Sequence, residues 1–157
     1  MSTLIKQMFQ GKVSIKEGIA TLEKAILDQG CPSYKNGMCQ YHMGNKSCII
    51  GHGLPKRLPK DVQGMPIDKA SARFGYYKEN NPNHDRLVFV LSVLQRCHDD
   101  AAIDTDYNMS KFISHDDAAI DTDYNMDNFI SHFKTNMKAF YKKWNPTIDQ
   151  LDKENSL

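Results

Sequence analysis

Neither sign of charge is in excess: the 157-residue chain carries 20 Lys and Arg against 19 Asp and Glu. A protein that holds nucleic acid mainly by its phosphates shows a basic surplus, so non-specific nucleic-acid binding is disfavoured. Long apolar runs are also missing. The longest, Leu87 to Leu91, falls far short of the ~20 residues that cross a bilayer, so no membrane association is expected. The opening Met-Ser-Thr-Leu-Ile-Lys-Gln-Met-Phe-Gln has no charged segment followed by a sustained apolar core. No secretory signal is therefore expected, and a cytoplasmic setting is. Cysteine is scarce, four in all, and under reducing conditions these are metal ligands or core thiols before they are disulfides. Gly51-His52-Gly53 lacks the spacing of a P-loop or dinucleotide fingerprint.

What is present reads as one helical domain. Ser14-Ile15-Lys16-Glu17 has the form of a capping box, Ile19, Leu22 and Ile26 follow at helical spacing, and Gly30 stands where a left-handed cap belongs. A shorter helix over 3–9 precedes it, closed by Gly11. Met38–His42 and Ser47–Ile50 flank Met-Gly-Asn-Lys, the pattern of a tight hairpin. Residues 53–84 hold four prolines and three glycines, which predicts an ordered loop region with a short helix near Asp68–Phe74. Residues 85–97 are apolar almost all round, the mark of a buried helix, with Asp85 placed to cap it. Phe129, Phe133, Met137, Phe140 and Trp144 stripe a last helix over about 123–144, which Asn145-Pro146 is expected to stop. The predicted fold class is α+β, a mostly helical single domain over 1–146 with a small β-hairpin near 38–50. Residues 147–157 read as a mobile polar tail.

A duplication interrupts this plan. His98–Met109 recurs residue for residue as His115–Met126, and Phe-Ile-Ser-His recurs at 112–115 and 129–132, a period of 17 that pairs 98–114 with 115–131. At about 100° per residue, 17 residues leave the faces of one continuous helix roughly 100° out of phase. A single helix cannot keep one apolar stripe through both copies. One copy is expected to make the native contacts and the other an added loop and turn. The choice between identical copies also opens a route to a homo-oligomer by exchange.

The chemistry-bearing residues concentrate between 38 and 55. Cys39, His42, Cys48 and His52 form Cys-x2-His and Cys-x3-His pairs, a donor set of the kind that holds zinc in a tetrahedron, with Cys31 as a substitute. The spacing matches no standard finger, and an extended strand would point 39 and 42 to opposite faces. The competing reading makes Cys39 and Cys48 small buried hydrophobes facing each other across the hairpin, with no cofactor at all. Cys48 also has His52 nearby as a base, without a visible orienting group. Lys56, Arg57 and Lys60 form a basic loop suited either to solvent or to a phosphate.

The His-Asp doublets at His84-Asp85, His98-Asp99 and His115-Asp116 suggest divalent-metal phosphohydrolase chemistry, with Asp104 or Asp121 completing a set. Helix capping by the aspartates is the simpler explanation. Asp104, Asp106 and Asn108, repeated as Asp121, Asp123 and Asn125, resemble the start of a calcium loop. Met109 and Met126 occupy its glycine position and His115 and His132 its glutamate position, so that reading fails.

Cys39-Gln-Tyr41, Cys48-Ile-Ile-Gly51-His52-Gly-Leu-Pro55 and Leu91-Ser-Val-Leu94-Gln95-Arg-Cys-His98-Asp99 together resemble a diffuse group of small phage and bacterial proteins. Those proteins pair a Cys-x-Tyr turn and a Cys-x-x-Gly…Pro segment with a Leu-Gln-x-x-His-Asp helix end. The resemblance covers residues 14–144 less one copy of the repeat. It implies an α+β domain in a phage-type setting and brings no catalytic residues. An arginine is expected after the tyrosine, where this chain has His42, and no fixed histidine at His52; both departures count against four-ligand zinc. The functional expectation is a non-enzymatic binding protein that engages a host protein or captures a small, phosphate-bearing ligand. Its rim would be His42, His52, Lys56, Arg57 and Lys60. The alternative is a metal-dependent hydrolase.

Overall fold

The computed structural model describes residues 3–35, 38–78, 80–112 and 122–155, and of these not the side chains of 35, 38, 39, 104–112 and 122–127. The first two helices are α1 (Leu4–Phe9) and α2 (Ile15–Gln29). Ser14 Oγ accepts the Glu17 amide at 3.1 Å, as the Ser-x-x-Glu spacing requires, and Gly30 closes α2 at φ 77°. Then come α3 (Ile67–Arg73), α4 (Pro82–Phe112) and α5 (Thr122–Asn155). The strand content is two short antiparallel ladders, β1 (Tyr34–Lys35) with β2 (Met38–Cys39) and β3 (His42–Met43) with β4 (Lys46–Ser47). The domain is mostly helical α+β, as expected.

The hairpin is shorter than 38–50. His42 faces Ser47 and Met43 faces Lys46 around Gly44-Asn45, with Gly44 at φ +64° as the first central position of a II′ turn demands. Cys39 pairs back to Tyr34 instead, and the chain after Ser47 leaves the ladder for a 3-10 turn at Gly51–Gly53. Cys39 and Cys48 therefore do not face each other across one hairpin.

The core is built on α4 and α5, which run antiparallel: Arg86 meets Glu154, Phe89 meets Trp144, Cys97 meets Asn136 and His98 meets Phe129. Leu87, Val90, Leu91 and Leu94 of α4 and Phe129, Phe133, Met137 and Phe140 of α5 are buried together with Ile19, Leu22 and Ile26 of α2. On α2 and α5 this is the 3.6-residue stripe read from the sequence, whereas α4, expected to be apolar almost all round, leaves Phe89 exposed and Val93 only partly buried. Phe89 and Ile103 are the exceptions on α4, and Phe89, 57% exposed, rests on the partly buried Trp144. Asn81, rather than Asp85, caps α4: its Oδ1 accepts the amides of Asn83 and His84 at 3.0 and 3.2 Å. Asp85 is engaged by the Tyr77 hydroxyl.

Two expectations need correction. The helix does not stop at Asn145-Pro146, and residues 147–155 are not a polar tail, because α5 runs through Pro146 to Asn155. Proline forfeits one helix hydrogen bond, and what lies beyond offsets it. Ile148 and Leu151 are 1% and 0% exposed, each contributing roughly 1.5–3 kcal/mol of burial. Asp152 accepts the Ile15 and Lys16 amides at 2.6 and 3.1 Å, so a carboxylate from the chain's far end seals the N-terminus of α2.

The repeat also behaves differently. Each copy supplies one arm of the antiparallel pair, 98–112 on α4 and 122–131 on α5, and both bury side chains. His98, Ala101 and Ala102 come from the first copy and Phe129 from the second. Because α4 and α5 are separate antiparallel helices, the two copies need not share one apolar stripe. Residues 113–121, with the His115-Asp116 doublet and Asp121, lie outside the described residues, as do the side chains of Asp104, Asp106, Asn108, Asp123 and Asn125.

Candidate functional site

A ladder of two residues per strand is too short to hold itself together. Glutamine side chains brace it from both edges. Gln63 Oε1 accepts the His42 amide and Gln63 Nε2 donates to the His42 carbonyl, each at 3.1 Å. On the opposite edge Gln29 Oε1 accepts the Ser47 amide and Gln29 Nε2 donates to the Ser47 carbonyl, each at 2.9 Å. His42 and Ser47 are the facing pair, so each side-chain amide acts as an added strand. A third, Gln95 Oε1 of α4, accepts the Ile50 amide at 3.3 Å. The exit from the hairpin is equally tight. A Cβ on Gly51 would lie 2.0 Å from the Tyr41 carbonyl oxygen, which itself accepts the Cys48 amide at 3.0 Å.

Against this frame each sequence-predicted residue can be located. His42 turns inward: its Nδ1 meets Ser47 Oγ and its Nε2 meets the Pro55 carbonyl, both at 2.7 Å. A carbonyl only accepts, so Nε2 carries the proton and Nδ1 accepts from the serine hydroxyl. Both ring nitrogens are occupied. Cys48 is fully buried and accepts the Gly51 amide; burial pushes its thiol up to about 12, so it is neither thiolate ligand nor nucleophile at neutral pH. His52 has its Nε2 buried without a hydrogen-bond partner among the described residues. Burial, then the His42 and His98 charges, holds this ring below the usual histidine range. The Cys39 side chain lies outside the described residues. Among the described residues no three His, Cys, Asp or Glu side chains gather as a metal site. Lys56, Arg57 and Lys60 are solvent-exposed.

The most organised polar group is one the sequence presented only as a doublet. His98 is completely buried, and its Nε2 accepts the Ser33 amide at 3.3 Å. The Nδ1 proton is therefore directed at Asp99 Oδ1, 2.9 Å away. Gln95 Nε2, one helical turn earlier, donates to the same oxygen at 2.6 Å. Among the described residues Asp99 Oδ2 receives no such bond. The carboxylate side chain is 30% exposed, on the wall of a cleft of about 320 Å³ between α4, the hairpin entrance and the 63–67 segment.

The cleft has an apolar side made by Met65, Pro66 and Ile67. Its two hydroxyl groups accept. Tyr41 Oη donates to the Met65 carbonyl at 2.6 Å, and Ser92 Oγ donates to the Val88 carbonyl at 2.8 Å, so each has only lone pairs left to offer. Burial, then the Cys48 and Asp99 charges, keeps the Tyr41 phenol protonated far into the alkaline range. Asp99, Ser92 and Tyr41 thus present acceptors, Gln40 adds a side-chain amide that can donate or accept, and among the described residues no cation lines the cleft. Sequence reading missed Ser92, Gln29 and Gln63, and met Gln95 only as part of the Leu-Gln-x-x-His-Asp helix end. The available signal was the four-residue spacing of Gln95 and Asp99 on a helix. No family model, no curated protein and no solved structure matches this chain.

Proposed function

We propose that the protein is a non-enzymatic binding protein whose cleft captures a small organic cation, a primary ammonium or guanidinium on a short apolar stem. The carrying observation is Asp99: its Oδ1 is fixed by His98 and Gln95, and its carboxylate lines a cleft of about 320 Å³ that also takes in the Tyr41 and Ser92 hydroxyls. A carboxylate held this way loses little freedom on binding, and a charge-assisted hydrogen bond is worth roughly 1.5–3 kcal/mol. Met65, Pro66 and Ile67 would cover the ligand's stem. This chemistry favours a small cation over the phosphate-bearing ligand that the basic loop suggested, and a cleft of this volume favours a small molecule over a host protein's surface.

Metal-dependent hydrolysis through the doublets has less support. His84 and His98 are 14 residues apart on α4, roughly 21 Å by helical rise, too far to share an ion. His84 accepts the Lys78 amide at Nδ1 and donates to the Phe9 carbonyl at Nε2. Titration with n-butylammonium and n-butylguanidinium, followed by amide and side-chain resonances of Ser92 and Gln95, tests the reading. Saturable shifts at these groups are expected; unmoved resonances at saturating probe would reject it.

A further inference from the structure

A second cavity, of about 490 Å³, opens at the start of α4, between α1 and the 74–81 segment. Its lining contrasts with the cleft. Lys6 and Lys78 contribute two cations, and among the described residues no carboxylate lines it. Among the described residues neither ammonium pairs with an acid. Phe74 and Tyr76 bring flat apolar surface to the same cavity, their rings stacked at 5.3 Å and 19°. Both residues pack against the core and Tyr76 Oη meets Thr3 Oγ1 at 3.3 Å, yet each stays partly exposed and the stack itself uses one face of each ring. Between them Gly75 has φ +78° and no atom near its missing Cβ, so backbone there is open to close approach.

The two lysines are held in relation by His84. Lys78 N–H donates to its Nδ1 at 3.0 Å, so the ring proton sits on Nε2 and is given to the Phe9 carbonyl at 3.1 Å. One imidazole thereby ties the Lys78 loop to the end of the helix that carries Lys6. The α4 terminus is not itself the anion site. Pro82 has no N–H, Asn81 Oδ1 takes the amides of Asn83 and His84, and the Asn81 carbonyl takes that of Asp85.

We propose that this cavity is a separate site for a nucleotide, its phosphate held between Lys6 and Lys78 and its base laid on the free face of the Phe74–Tyr76 stack. Compact ammonium groups suit a phosphate, and an aromatic face accepts any base. The cavity volume falls in the range of roughly 300–1,000 Å³ typical of small-molecule sites. The site is independent of the Asp99 cleft.

The test is calorimetric and NMR titration of the full chain with adenosine monophosphate, adenosine and inorganic phosphate at low salt. Adenosine monophosphate should shift the Tyr76 and Phe74 ring resonances saturably, with adenosine and phosphate each at least tenfold weaker. Lys6→Gln and Lys78→Gln should each weaken nucleotide binding about tenfold while Lys78→Arg retains it. Neither lysine has an ion-pair partner among the described residues, so melting temperatures should stay at the parent value; a lysine variant that melts lower is replaced by charge screening, where 0.5 M salt should abolish binding. Tyr76→Leu should reduce nucleotide but not phosphate binding, and Asp99→Asn should change neither. Equal affinity for phosphate and nucleotide would overturn the base-stacking half of the proposal. No saturable shift, or binding indifferent to both lysines and to salt, would overturn all of it.

Discussion

The Gln63 side chain satisfies both backbone polar groups of His42, accepting from its N–H and donating to its C=O at 3.1 Å each. Gln29 does the same for Ser47 across the ladder. Gln63→Ala and Gln29→Ala each strip two hydrogen bonds from a part-buried strand and are expected to destabilise by about 1–3 kcal/mol. Because His42 and Ser47 are paired with each other, the double variant should lose less than the sum of the singles. Denaturant unfolding of the four proteins measures this; strict additivity would mean the two braces act independently.

Thiol chemistry separates a buried core from an exposed metal or catalytic cluster. Cys48 is 0% exposed and Cys97 8%, and burial raises their thiols to about 12 and about 11. At pH 8 neither should react with a thiol reagent in the native state, and all four cysteines should react in denaturant. Rapid native labelling of Cys48, located by mass spectrometry, would contradict its placement.

The pH dependence has a definite sign. His52 and His84 are both held below the usual histidine range, by burial first in each case. The folded state therefore binds their protons less readily than the unfolded chain, whose histidines titrate near ~6.5. The stability they contribute is complete above ~6.5 and falls as pH drops toward their folded values. Protonated His84 also loses the bond from the Lys78 amide. Denaturant midpoints should thus decline between pH 7 and 5, and His84→Gln should flatten part of that decline. A midpoint that rises on acidification would be inconsistent with these two neutral rings.

The duplication is predicted to be dispensable. Removing 98–114 joins Cys97 to His115-Asp116-Asp117-Ala118-Ala119, which restores the residue types of His98, Asp99, Ala101 and Ala102 in place. Nine of the 26 residues between Ala102 and Phe129 remain, a reach of about 30 Å when extended, against helix axes roughly 8–10 Å apart. The shortened chain should fold and melt within about 4 °C of the parent, the shift of ~1 kcal/mol at this size. A loss of cooperative unfolding would show that the second copy is structurally required.

How legible was this molecule in its sequence? The capping box at Ser14, the Gly30 cap, the short helix near 68–74 and the aromatic stripe on α5 all follow from local pattern and are present. The end of α5 was not legible, because Pro146 is a local stop signal while the anchors beyond it, Ile148, Leu151 and Asp152, act only through distant α2. Asn81 outcompeted Asp85 as a cap for want of any rule that ranks two neighbouring candidates. The cluster at 38–55 drew attention as chemistry, yet His42 and Cys48 serve the hairpin's own packing. Asp99 looked like a helix-end acid. Its cleft exists only because the chain brings Tyr41 and the 63–67 segment against α4, a juxtaposition that no spacing encodes.

The central claim is that Asp99 binds a cation through the oxygen that His98 and Gln95 leave free. Asp99→Asn tests it most directly, since the amide oxygen can keep both of those bonds while the charge is lost and the free acceptor becomes a donor. Isothermal titration with n-butylammonium, on a variant whose melting temperature matches the parent, should show binding weakened by at least tenfold, the ~1.4 kcal/mol that separates a charged from a neutral hydrogen bond. Affinity unchanged by that substitution would contradict the account.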